Sequence, residues 1–278
     1  PVADFVFVIE TSLSMRGDLR RIPAAIGGFP ELAASAGVDY RVALVRFGSG
    51  RLKSGAQAPD LTLDFTTDGN AFRAALTSLQ SRLSGPTESG SEALDFALDS
   101  LALRPRALPI FILLTDEDDD LPVSIEPGRR REPPANWAFS DRAPQFQSRL
   151  DALAQRLVGA GARMVLLMRP GNRPSEYQYG APRFAQSDSQ GRLDLEATLS
   201  ALAGAQLADS LQGQLLAAGT CSAGRCAAGA LGNTCSDDRD CGLYARAYDI
   251  KEARRRRTRD AFYAALLGEL IELASCQP

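Results

Sequence analysis

Seven oxygen-bearing residues, at three separate places in the chain, have the types and spacing to hold a hard cation. Glu10, Ser12 and Ser14 follow one another at intervals of two in DFVFVIETSLS. Thr87 stands in a loop rich in glycine, proline and serine, LSGPTESGS, and Asp116 ends the apolar run IFILLTD. Behind Asp116 comes an acidic run in which Asp118 and Asp120 are the candidates for further ligands. Brought together, Glu10, Asp116, Ser12, Ser14 and Thr87 supply carboxylate and hydroxyl oxygen and nothing softer, a donor set that suits Mg²⁺, Mn²⁺ or Ca²⁺. So few formal charges among the direct ligands leave the ion with excess positive charge and an open position, ready for an external carboxylate.

Histidine is absent from all 278 residues, which removes Ser-His-Asp and Cys-His nucleophiles, His-liganded zinc and imidazole acid–base chemistry. A metal-assisted hydrolase or phosphotransferase would have to work with carboxylates alone, and no glycine loop of the phosphate-binding kind accompanies them. The expectation is therefore a protein that binds and does not catalyse. A net charge of −3, from 31 basic and 34 acidic residues, disfavours a broad nucleic-acid surface.

The elements that must position these groups read as alternating strands and helices. Asp4 to Ile9 is a near-continuous apolar run, too short to cross a membrane, as in a buried parallel strand. Alone, it reads better as a strand entering a helix N-cap at Ser12 or Ser14, with Glu10 solvated, than as a site. Leu19 to Ala36 has apolar residues at roughly helical spacing, flawed by Pro23 and Pro30, and Gly37 is its C-terminal signal. Tyr40 to Phe47 is a second buried strand, and the alternating Leu61 to Phe65 suits a sheet edge. Asp68 and Asn70 cap a helix over Ala71 to Ser81; a further helix runs from Glu92 to Leu103, and Ile110 to Asp116 is the strongest buried strand. Beyond a long loop, 117–145, containing Trp137, the pattern predicts helix Ser148 to Gly159, strand Arg163 to Met168, helix Leu193 to Leu211 and helix Ile250 to Ala274. Arg254 to Arg257 and Arg259 make that last helix basic, as a solvated face would be.

This order predicts an α/β fold with a doubly wound, mostly parallel sheet flanked by helices. If the first and fourth strands are neighbours and the strand order reverses between them, Glu10, Ser12, Ser14, Thr87 and Asp116 converge on one topological switch point.

All five cysteines come late: Cys221, Cys226, Cys235, Cys241 and Cys276. The first four crowd into a segment rich in glycine, alanine and aspartate, which reads as a disulfide-stapled insertion and favours an oxidising compartment. Four and five residues separate the members of the two pairs, wider than most four-thiolate zinc sites use, and the disulfide pairing is open. The chain opens at Pro1 without methionine, as expected after trimming, and a secreted, periplasmic or cell-surface location is expected.

With these residues in view the sequence resembles the von Willebrand factor type A domain family, which includes the integrin inserted domains. The family's hhhhDxSxS strand is matched by FVFVIETSLS, its loop threonine by Thr87 and its strand-ending aspartate by Asp116, over about residues 3 to 210. The resemblance implies a metal-ion-dependent adhesion site. In it Ser12, Ser14 and Thr87 contact the ion directly or nearly so, the acidic residues bind directly or through water, and a carboxylate from a protein partner completes the octahedron. It departs at Glu10, one methylene longer than the family's aspartate. That extra reach is expected to displace the ion, force out a water or shift preference towards Ca²⁺. The expected organisation is a domain of this kind over 1–212, the cysteine-rich insertion over 213–243 and a helix over 244–278 packed on the domain. The expected function is adhesion or protein binding through a cation, as a monomer or within a larger surface assembly. The alternative is an interaction domain whose cation site has decayed.

Overall fold

The computed structural model describes residues 1–48, 59–83, 90–115, 152–153, 155–157, 159–168, 192–193, 221–222, 225–226, 245–249 and 259–275. Strand β1 (Val2–Glu10) lies between β2 (Asp39–Phe47) and β4 (Leu108–Leu114) and is parallel to both. On the far side of β2, β3 (Asp60–Thr66) runs antiparallel along the sheet edge, as its alternating pattern predicts. On the far side of β4 come β5 (Arg163–Met168), then β9 (Ala245–Asp249), both parallel, then the short antiparallel β6 (Arg192–Leu193). The order β3-β2-β1-β4-β5-β9-β6 reverses between β1 and β4, so the sheet is doubly wound with its switch point beside the end of β1.

β1 is buried from Ala3 to Glu10 because helices cover both faces of the sheet, which is why its sequence is apolar without alternation. Phe5, Phe7 and Ile9 face one core with Phe29, Phe72 and Leu76; Val6 and Val8 face the other with Ala93, Leu94 and Ala97 of α5 (Gly90–Ser100). The helical stretch after β1 is broken into α1 (Arg16–Leu19), α2 (Ile22–Ile26) and α3 (Phe29–Ser35). Pro23 and Pro30 each sit in a first turn, where the missing N–H does no harm, but neither can continue a preceding helix. Gly37, at φ 73°, then reverses the chain into β2 in a conformation that suits glycine.

Helix α4 (Gly69–Ser78) begins where Asp68 predicts, its carboxylate accepting from the N–H groups of Asn70 (2.8 Å) and Ala71 (3.2 Å). Asp68→Ala is expected to lower stability by about 1 kcal/mol, read as a shift of the urea midpoint with unchanged slope.

At the end of β1 opposite Glu10, the fully buried Asp4 ties three segments together. Arg41 donates to it through Nε (3.0 Å) and Nη2 (2.6 Å), and Arg104 through its backbone N–H (2.8 Å) and Nε (2.8 Å). Burial pushes the Asp4 carboxyl up, but the bonds from Arg41 and Arg104 and their charges outweigh it, and the group titrates below its ordinary range.

β9, from beyond the cysteine segment, was not anticipated from the sequence, and Leu193, expected in a helix, stands in β6. The rest of the helix expected over Leu193 to Leu211 lies outside the described residues, as do the loop 117–145 and Arg254 to Arg257. The C-terminal helix α6 (Arg259–Ser275) seats Phe262, Tyr263, Leu266 and Leu270 in the same core as Phe5 and Phe7. Among the described residues no helix is long and apolar enough to cross a membrane. The cysteine segment contributes a two-stranded ribbon, β7 (Cys221–Ser222) with β8 (Arg225–Cys226).

Candidate metal centre

The site is built where β1 leaves the sheet. Glu10 is opposite Phe47 of β2, and Thr11 extends the pairing by one residue, its N–H (2.7 Å) and Oγ1 (2.9 Å) both donating to the Phe47 carbonyl. Past this point the chain turns away until Met15, fully buried, anchors the start of α1. Between these anchors, Ser12 is buried, while Leu13 and Ser14 are exposed. Met15 explains why so short a loop holds its serines in place: it is fixed by sheet pairing at one end and core packing at the other.

Glu10 is entirely buried and accepts two hydroxyl hydrogen bonds from within the protein. Ser12 Oγ donates to Oε1 in a short contact, and Thr115 Oγ1 donates to Oε2 at 2.6 Å. Thr115 follows β4 and is held by its own N–H on the Leu167 carbonyl, 2.9 Å. Ser12 and Ser14 Oγ lie 2.7 Å apart. A hydroxyl has one proton, so with that of Ser12 directed to Glu10, Ser14 must donate to Ser12. The outcome is a chain of donors running Ser14 to Ser12 to Glu10, with Thr115 arriving from the opposite side.

These groups can be tested against a cation by their chemistry and spacing. All are oxygens, as hard divalent ions require. Two adjacent ligands of an octahedral Mg²⁺ at about 2.0–2.1 Å are separated by about 2.9 Å, whereas the longer bonds of Ca²⁺ open the same edge to about 3.3–3.7 Å. The 2.7 Å between the two serine oxygens is close to the smaller edge. The donor chemistry, and the closeness of Ser12 Oγ and Ser14 Oγ, are compatible with a small divalent ion.

Of the seven residues expected from the sequence, the structure brings Glu10, Ser12 and Ser14 together. Thr87, Asp116, Asp118 and Asp120 lie outside the described residues. Among the described residues no three His, Cys, Asp or Glu side chains gather around a common point. Thr115 was missed. Its sequence signal was slight, a hydroxyl next to Asp116; what matters is its place beside Glu10, which follows from the pairing of Ile9 with Leu114.

Residues 5–118 match the family model of the von Willebrand factor type A domain. The matched segment runs from Phe5 in β1 through β4 and contains the switch point between β1 and β4. Among solved structures the chain is similar to one titled "conserved hypothetical protein BatB from Bacteroides thetaiotaomicron". The two are 15% identical, with a TM-score of 0.48, covering 98% of this chain and 99% of that one. No curated protein matches the chain.

Proposed function

We propose that this chain binds a protein partner through a divalent cation at the carboxyl end of β1, a reading supported by the match of residues 5–118 to the model of the von Willebrand factor type A domain, a family of protein-interaction modules. Ser12 and Ser14 would hold the ion, with Glu10, Thr87 and Asp116 in or just behind its shell and Asp118 and Asp120 as further candidates. The ion would supply a positive centre for an acidic side chain of the partner, and the surrounding loops would select which partner presents it. The observation that carries this reading is the joining of Glu10, Ser12 and Ser14 into one oxygen cluster at the switch point. The role is binding and not catalysis, in a secreted, periplasmic or cell-surface setting.

A second reading has its own observation. Both oxygens of Glu10 already receive hydroxyl donors, so its buried charge is compensated from within the protein. The same surface would then bind its partner without metal.

Calorimetric titration of the metal-stripped chain with Mg²⁺, Mn²⁺ and Ca²⁺ separates the two. The cation reading expects binding, strongest for the smaller ions, and a stabilisation of about 2.7 kcal/mol at a hundredfold excess over Kd. Both effects should vanish in a Ser12→Ala/Ser14→Ala variant whose melting in chelator matches the parent. Absence of heat and of stabilisation with all three cations would overturn the cation reading and leave the metal-free one.

A further inference from the structure

We propose that Cys221 and Cys226 form an intrachain disulfide that closes the β7–β8 ribbon. The two strands are antiparallel, and Cys221 is paired with Cys226 while Ser222 is paired with Arg225. Only Ala223 and Gly224 join the strands in the sequence. Directly opposed residues of an antiparallel pair share a face of the ribbon, and their Cα atoms are about 5.5 Å apart in a hydrogen-bonded pair and about 4.5 Å in a non-hydrogen-bonded one. Both separations fall within the window of about 4.4–6.8 Å that a disulfide spans. Whichever kind of pair this is, the backbone sets the two cysteines at bridging distance without rearrangement.

A ribbon of two residues per strand is too short to persist on its own hydrogen bonds, which gives the bridge a structural role. A covalent link across it limits the unfolded alternatives of residues 221–226. Register also chooses among the pairings that spacing leaves open, because it opposes Cys226 to Cys221 specifically.

The bond forms by thiol–disulfide exchange with a donor disulfide, of a protein or a small molecule. One chain thiolate attacks the donor to give a mixed disulfide and releases the first donor thiol. The second chain thiolate then attacks the chain sulfur and releases the other. The chain loses two electrons and two protons, and the donor disulfide is reduced to two thiols. The bridge therefore belongs to a compartment in which a disulfide donor is maintained.

The test uses the full chain, equilibrated with mixed oxidised and reduced glutathione, quenched in acid, blocked with N-ethylmaleimide under denaturing conditions and digested without reductant. Trypsin cuts after Arg225, between the two cysteines, so a bridge joins the peptide Leu193–Arg225 to Cys226–Arg239. Chymotrypsin then cuts after Leu231 and separates Cys226 from Cys235, so that each linkage is read by itself. The expected result is the linked pair Cys221–Cys226, with maleimide labelling at both positions reduced at least about tenfold against the dithiothreitol-treated chain. Full labelling of both cysteines, or linkage of Cys221 to Cys235, Cys241 or Cys276, would overturn the proposal.

Discussion

Replacing Asp4 by alanine is expected to destabilise the fold by about 3–5 kcal/mol, the cost of removing one partner from a buried, hydrogen-bonded ion cluster. Arg41 and Arg104 would keep their charges, three-quarters withdrawn from water, with the shared carboxylate gone. Arg104 also carries the backbone N–H that Asp4 accepts, so the turn entering β4 loses its tie to β1. The pH dependence has a definite sign. The folded carboxyl titrates below its ordinary value of 3.8, so its stabilisation is complete above the unfolded value and is lost as pH falls through the folded one. Acid titration of the parent should show that loss at the low-pH end, and the variant should show a flatter profile there. Equal stability of parent and variant at neutral pH in urea would count against the cluster's role.

Phe29→Ala is expected to have an effect of similar size, about 3–5 kcal/mol, for a different reason. Phe29 is fully buried and meets the rings of Phe5 (4.6 Å between centroids) and Phe7 (5.7 Å) edge to face, and Phe7 in turn meets Phe72 at 5.0 Å. Truncation removes both ring contacts and leaves a cavity between α3 and β1 that rigid neighbours cannot close. The denaturant midpoint should fall with little change in slope. β1 carries Glu10 three residues beyond Phe7, so a variant stabilised with osmolyte is also the place to test whether the proposed cation binding weakens.

Much of this arrangement was legible along the chain. The unbroken apolar run before Glu10 and the weaker alternation of Leu61 to Phe65 distinguish a central strand from an edge strand, because burial on two faces or one leaves its mark residue by residue. Asp68 announces its helix because a cap bonds only to the next few N–H groups. Pro23 and Pro30 marked the stretch as flawed, and each stands in the first turn of a new helix, so that the stretch becomes three. Nothing local connects Asp4 to Arg104, a hundred positions away, or announces that Ala245–Asp249 joins the sheet beside β5. Such pairings depend on long-range register, which leaves no period in the sequence.

At the site itself the division is the same. By itself the sequence determined the chemistry on offer: oxygen donors, no imidazole, and a glutamate with one methylene more than the aspartate of the pattern it resembles, all carried by residue identity. The tertiary structure alone decided what that glutamate does. Pairing Ile9 with Leu114 puts Thr115 at its second oxygen, and the loop pinned between Thr11 and Met15 sets Ser12 on its first and Ser14 2.7 Å from Ser12. A buried carboxylate must find donors wherever the fold supplies them, and here the donors come from just past the ends of two neighbouring strands though more than a hundred residues separate Glu10 from Thr115 in the chain.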